Sequence, residues 1–463
     1  MTVSITRELA ERLDALETTE DDVRRVRTLL LDHLAVVANG AKTDSARAAQ
    51  QLAAMMEATG GVSFPIIGTS MHASVPYAMI ANGTAGHSIE FDDTHSASSS
   101  HPGVAVFPAA LGAATMADVE AAEMLRGVIL GYEAMCRLGR AADPPGQYAA
   151  HFHPTATTGT IGAAVASASI FGLNVDETVS AIGIASTMAA GSIQFLEDGA
   201  WTKRLHPGAA ARNGLEAATL ARFGFQGTVD GIGGARGFLA AYTRSGHAER
   251  MLEDWGHRPL EVHATGIKAH ACCRYNQAPI DALLELSSDN GLAAADIAGV
   301  QVGLPSVAID IVAAPEDHKR RPESIVDAQF SLPFAIAVAL SSGKAGLTEY
   351  TMANLTSPPV LDIMDRVSYH VDPAVDAAYP QHWGASVRVE TVDGRLFEKR
   401  VIDPKGDPDN PFTELDLEAK FHDLTRSTYD DSHRKAMIDV VRGLGTSATL
   451  NELVALLPSD ATA

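Results

Sequence analysis

The chain has 463 residues, 46% of them hydrophobic, which is more apolar surface than one core normally absorbs, so two domains are expected. Its 35 basic and 57 acidic residues leave a net charge of −22, the wrong sign for nucleic acid or an anionic membrane surface, so neither is expected as a partner. The cysteines are Cys136, Cys272 and Cys273, too few and too awkwardly placed for a disulfide framework, which points to the reducing cytoplasm.

The N-terminus runs directly into charged helical sequence, without the basic start and apolar core of a signal peptide. Thr19 is placed to cap a helix whose apolar face recurs at Val23, Val26, Leu29, Leu30, Leu34 and Val37 and which ends near Gly40. Ala-rich helices are expected over 104–116, 124–138, 157–171, 177–190 and 209–222. The first 260 or so residues therefore read as all-α. The apolar runs 161–171 and 179–190 are too short to cross a bilayer alone.

The texture changes after Lys268. Residues 297–304 alternate like a strand, and 386–392 with Asp393-Gly394 and 395–401 form a hairpin signal. Helices are expected between them at 280–288 and 324–340, making an α+β unit. Asp403–Pro411 reads as a linker, and Thr413 then opens helical sequence again. The expected organisation is a large all-helical domain, residues 1–268 and 405–463, with an α+β lid domain over 269–404.

Three His-Pro dipeptides, at His101, His153 and His206, each stand before a small-residue helical stretch, which would put imidazoles near free backbone N–H groups and the positive end of a helix dipole. Lys203-Arg204 adds two cations beside the third. A second basic cluster, Lys268-Ala-His-Ala-Cys-Cys-Arg-Tyr-Asn, lies where the texture changes. The segment His87-Ser-Ile-Glu-Phe-Asp-Asp-Thr-His is rich in groups able to hold a metal, but no HExxH or CxxC spacing accompanies it. A hydrogen-bond network orienting the histidines is the preferred reading, and no metal is expected. Gly231–Gly237 lacks both the GxGxxG spacing and the βαβ setting of a nucleotide loop.

Gly86-His-Ser-Ile-Glu-Phe-Asp-Asp-Thr, Ser100-His-Pro-Gly, His153-Pro-Thr, Lys203-Arg-Leu-His-Pro-Gly, Lys268 with Cys272-Cys-Arg, and Phe330-Ser-Leu-Pro-Phe occur in an order that resembles the MmgE/PrpD family. That family includes 2-methylcitrate dehydratase, cis-aconitate decarboxylase and iminodisuccinate epimerase. The resemblance implies a homodimer with its active site between a helical domain and an α+β lid. It also implies a cofactor-independent lyase acting on a small anionic polycarboxylate by proton transfer next to a carboxylate, with an epimerase or a catalytically silent carboxylate-binding protein as alternatives. Carried over by motif, His101, His153, Lys203 and Lys268 are the expected catalytic groups. Glu90, Asp93, Thr94, His206, Arg274 and Tyr275 are expected to bind substrate. Glu90 departs from the aspartate often found at its place, and Cys273 stands where the animal decarboxylase has histidine.

Overall fold

The computed structural model describes residues 4–56 and 61–459. The protein is mainly α with a smaller α+β part. It divides into two compact units, the first made of Met1–Ser88, Asp92–Thr265 and Thr413–Ala463, the second of Ile89–Phe91 and Gly266–Phe412.

In the first unit Thr19 caps the helix Glu20–Gly40 through a capping box with Asp22, which satisfies two otherwise unpaired N–H groups. The helices Val75–Gly86, Gly103–Ala117, Ala121–Ala141, Pro154–Ile170, Val175–Met188 and Thr202–Arg222 follow. Leu130, Leu138, Ile161, Val165, Ala164, Ala217 and Ala218 are part of one buried cluster. Burying each leucine or isoleucine contributes about 1.5–3 kcal/mol, while the alanines and glycines let helix axes approach. A Cβ at Gly83 would lie 2.5 Å from the Gly208 Cα, so any larger residue there would force two helices apart. Among the described residues the helical part also carries a short antiparallel strand pair, Ser63–Pro65 with His72–Ser74, which the composition did not suggest.

The helix expected over 209–222 starts seven residues earlier, at Thr202, with Pro207 inside it. Proline there removes one N–H from the ladder and usually marks a helix start. In this protein the close packing of Gly208 against Ile80 and Gly83 keeps the turn helical across it. His206 therefore sits within a helix instead of at its entrance.

The second unit is built on a four-stranded sheet, in the order Val367–Val371, Ile297–Leu304, Ala385–Thr391, Leu396–Val401. The first two strands run parallel and the other pairs antiparallel. Val300 and Val302 are buried and Gln301 is exposed, the alternation that identified the strand. The hairpin turns at Asp393-Gly394, where Gly394 has φ 83°. The edge strand Val367–Val371 went unrecognised, since three of its five side chains are exposed and it carries no apolar period. The helix expected over 324–340 is two helices, Ile325–Gln329 and Leu332–Ser342, because Ser331 accepts from the Phe334 N–H and restarts the chain with Pro333 in the first turn. Asp403–Pro411 is a folded loop of this unit: the Lys405 N–H donates to Asp281 Oδ2 at 2.7 Å and the Gly406 N–H to the Asn410 carbonyl at 2.8 Å. Among the described residues no helix is long and apolar enough to cross a membrane.

Candidate active site

In the first unit the segment leading to His101 is pinned by buried charge. His95 Nε2 donates to Glu261 Oε2 at 2.9 Å, its Nδ1 meets Ser98 Oγ at 2.8 Å, and His95 bridges to Ser100. Arg140 adds a second partner to Glu261 at 2.8 Å. Burial pushes the Glu261 carboxyl up, but His95 and the arginines win and hold it down at about 2.

Asp93 ties this segment to the next helix. Its carboxylate accepts the Gly103 N–H at 3.0 and 3.2 Å and the Tyr132 hydroxyl at 2.7 Å. The N-terminus of the helix Gly103–Ala117 is thus occupied by the chain's own carboxyl group, not held open for a ligand. Burial raises the Asp93 carboxyl to about 7, with the Asp92 charge adding to the rise and the Tyr132 and Gly103 hydrogen bonds opposing it.

Four imidazoles gather beyond that point. The His87 ring lies 5.0 Å from His101 and 5.7 Å from His153, and the His153 ring lies 5.3 Å from His206. His101 Nδ1 is surrounded by acceptors: the Asp93 carbonyl at 2.7 Å, Thr94 Oγ1 at 3.3 Å and Asp92 Oδ2 at 3.4 Å. Nδ1 must therefore carry the proton, and Nε2 is the basic nitrogen of the neutral ring. His153 Nδ1 and His206 Nδ1 are 3.1 Å apart, so one donates and the other accepts, and the pair shares one proton between those two nitrogens. Burial, followed by His206, His87, Lys203 and His101, lowers His153 well below the ordinary histidine range. Burial, His87 and Lys203 lower His206 to about 4. Both rings are neutral bases at neutral pH, and Lys203, buried in the first turn of its helix, lies near enough to act on both.

The second unit has its own charged cluster. The buried Lys268 ammonium donates to the Glu90 carbonyl at 3.1 Å and lies 3.6 Å from the Glu90 carboxylate. Glu90 takes a positive φ of 54°. Arg274 is paired with Asp407. Tyr275 stacks on Trp383 at 4.5 Å and meets the Tyr379 hydroxyl at 3.2 Å.

The structure thus gathers His101, His153, Lys203, His206, Asp93 and Thr94 in the first unit, and places Glu90, Lys268, Arg274 and Tyr275 in the second. From the sequence Asp93 is expected to bind substrate, and neither His87 nor Asp92 is assigned a role of its own. Asp93 reaches His101 through its carbonyl, while the carboxylate beside the imidazoles belongs to Asp92, whose Oδ2 is 2.7 Å from His87 Nδ1. The signal was available in the five-residue step from His87 to Asp92, but only the bend between them shows that the two side chains meet. Among the described residues, the ligand atoms of His382, Asp403 and Asp409 lie within 4.8 Å of one another, close enough for a metal ion, and the His382–Asp403 hydrogen bond of 2.7 Å already accounts for two of the three.

The MmgE/PrpD N-terminal domain matches residues 7–251 and the MmgE/PrpD C-terminal domain residues 270–445. The chain is 28% identical to the cis-aconitate decarboxylase-like protein oryM of Aspergillus oryzae, over 99% of this chain and 98% of that protein. It is 25% identical to cis-aconitate decarboxylase of Aspergillus terreus, over 94% of this chain and 92% of that protein. The Homo sapiens cis-aconitate decarboxylase is also 25% identical, over 99% of this chain and 95% of that protein.

Proposed function

The chain belongs to the MmgE/PrpD family, and from that premise we propose that it is a lyase acting on a small di- or tricarboxylate, releasing carbon dioxide from a cis-aconitate-like substrate. The observation that carries this reading is the imidazole cluster, in which His101 presents a basic Nε2 beside a histidine pair sharing one proton. The names of relatives spanning nearly the whole chain favour decarboxylation over dehydration.

In such a reaction the bond to one carboxylate breaks and its electron pair moves through the adjoining double bond to the far carbon, which takes up a proton. Negative charge builds on a carbon chain that already carries carboxylates. A buried ammonium aimed at that charge lowers the barrier by several kcal/mol, and Lys203 is the proposed group in the first unit. A positioned imidazole contributes about 10²–10⁴-fold as the proton carrier. His101 is the proposed carrier, since its Nδ1 is committed to acceptors and proton exchange runs through Nε2. His153 and His206, neutral without ligand, gain protons when a polyanion binds beside them, because nearby negative charge favours the imidazolium. No step in this scheme calls for a metal or an organic cofactor.

The test is turnover of cis-aconitate by the full chain, with carbon dioxide measured directly and the organic product identified by NMR in deuterated water. One deuterium at the carbon that receives the electron pair, with one carbon dioxide per substrate, is the expected result. Water loss from 2-methylcitrate without decarboxylation would make the protein a dehydratase. Deuterium exchange into iminodisuccinate without net turnover would make it an epimerase.

A further inference from the structure

His87 has no place in the scheme above, yet the fold treats it unusually. It is fully buried, its Nδ1 lies 2.7 Å from Asp92 Oδ2, and its Nε2 has no hydrogen-bond partner among the described residues. A buried polar nitrogen left unpaired costs stability, so a satisfied structural histidine would not look like this. The same Asp92 oxygen stands 3.4 Å from His101 Nδ1, so one carboxylate faces two imidazoles whose rings are 5.0 Å apart.

We infer that Asp92 and His87 form a buried positioning pair, in which the Asp92 carboxylate, itself held by His87 Nδ1–H, keeps the Nδ1–H tautomer of both His87 and His101 and so leaves His101 Nε2 as the nitrogen that carries the proton to substrate. The inference rests on the lyase reading for the role of His101. It differs from that reading in assigning work to two residues that need not touch substrate. The geometry favours an orienting role over simple packing. Asp92 accepts from Nδ1 of His87, which leaves Nε2 as the lone-pair nitrogen, and the same carboxylate oxygen faces His101 Nδ1. The logic is that of an orienting carboxylate behind a catalytic histidine, with one carboxylate serving two rings.

The groups facing this pair define the charge that any pH dependence must reflect. His153 acts from the start of the helix Pro154–Ile170, and Lys203 and His206 from the helix Thr202–Arg222. Asp32 and His33 act from the helix Glu20–Gly40, and Tyr132 with Asp93 from the side of the helix Ala121–Ala141. Thr94 and Thr155 add hydroxyls next to His101, Thr155 Oγ1 accepting the His101 backbone N–H at 3.1 Å. Asp92 is the carboxylate in contact with both His87 and His101.

The experiment uses the full chain, with histidines labelled with nitrogen-15, and the variants Asp92→Asn and His87→Asn. In the parent, His87 and His101 should both show the Nδ1–H tautomer. In Asp92→Asn the amide donates where the carboxylate accepted, and His87 should switch to Nε2–H. Turnover of cis-aconitate by that variant should fall about 10²-fold with KM changed less than about 3-fold, and the acid limb of its pH–rate profile should move down by about one pH unit, because a negative charge beside His101 is gone. His87→Asn keeps a donor toward Asp92 but loses the ring that stands 5.0 Å from His101, so its turnover should fall with the limb unmoved. A parent His87 in the Nε2–H form would overturn the inference without any variant, as would both variants keeping the parent's turnover and profile. The tautomer measurement needs no turnover, so an inactive parent would count against the lyase reading alone.

Discussion

Replacing Asp93 with asparagine separates its two jobs. The backbone carbonyl that accepts from His101 Nδ1 at 2.7 Å is unchanged, while the buried carboxyl that meets Gly103 and Tyr132 loses its charge. Burial raises that carboxyl from its ordinary 3.8 to about 7 in the folded protein. The folded state therefore keeps a proton that the unfolded chain has already released, and stability falls as pH rises from about 4 to about 7, then stays level. The whole effect is ~4 kcal/mol, of which more than half lies between pH 5 and pH 8. Asparagine does not titrate, so the variant escapes this loss. Near pH 5 it should lie within ~1 kcal/mol of the parent, since a protonated carboxyl and an amide offer similar hydrogen bonds. By pH 8 it should be the more stable by ~2 kcal/mol. Urea unfolding followed by circular dichroism at pH 5, 6, 7 and 8 reads the difference. An offset between parent and variant that stays constant across those four values would refute the account of Asp93, and so would a variant whose loss is larger at pH 8 than at pH 5. Turnover should stay within about 10-fold of the parent, because the group that orients His101 remains.

Lys268→Met should destabilise the protein by ~3–5 kcal/mol by removing the ammonium from beside the buried Glu90 carboxylate, and the double variant Lys268→Met/Glu90→Gln should recover part of that in thermal unfolding. Gly191→Ala places a Cβ 2.5 Å from the Ala156 Cβ and 3.2 Å from His206 Nδ1, at a φ of 132° that only glycine adopts easily, so it should cost at least ~1–3 kcal/mol and break the His153–His206 proton sharing seen by nitrogen-15 NMR. Lys203→Ala should weaken binding of a tricarboxylate inhibitor by ~1.5–3 kcal/mol in calorimetry, the worth of one charge-assisted contact. Dialysis against a strong chelator should leave turnover intact, and activity restored by one divalent metal would direct attention to a ligand set.

Local sequence determined much of this protein, because the signals involved act within a few residues. Thr19 and Thr413 announce helix starts through capping boxes that close within four residues. The strand at Ile297–Leu304 and the turn at Asp393-Gly394 are equally local, set by alternation and by a glycine able to take positive φ. The choice of His101, His153 and His206 as one chemical group was also legible, since each stands before a proline and a run of small residues. Tertiary structure decided what a local reading cannot reach. Pro207 signalled a helix start but lies inside the helix, because packing of Gly208 against Gly83 outweighs one missing hydrogen bond. Val367–Val371 has no apolar period and becomes a strand through its pairing with Ile297–Leu304. Which aspartate serves which histidine depended on the bend between His87 and His101, where adjacent residues point opposite ways: Asp92 toward the imidazoles, Asp93 toward Tyr132 and the next helix. Both are short acidic side chains at neighbouring positions, so only the direction of the folded backbone could separate the one that faces the histidines from the one that holds the helix.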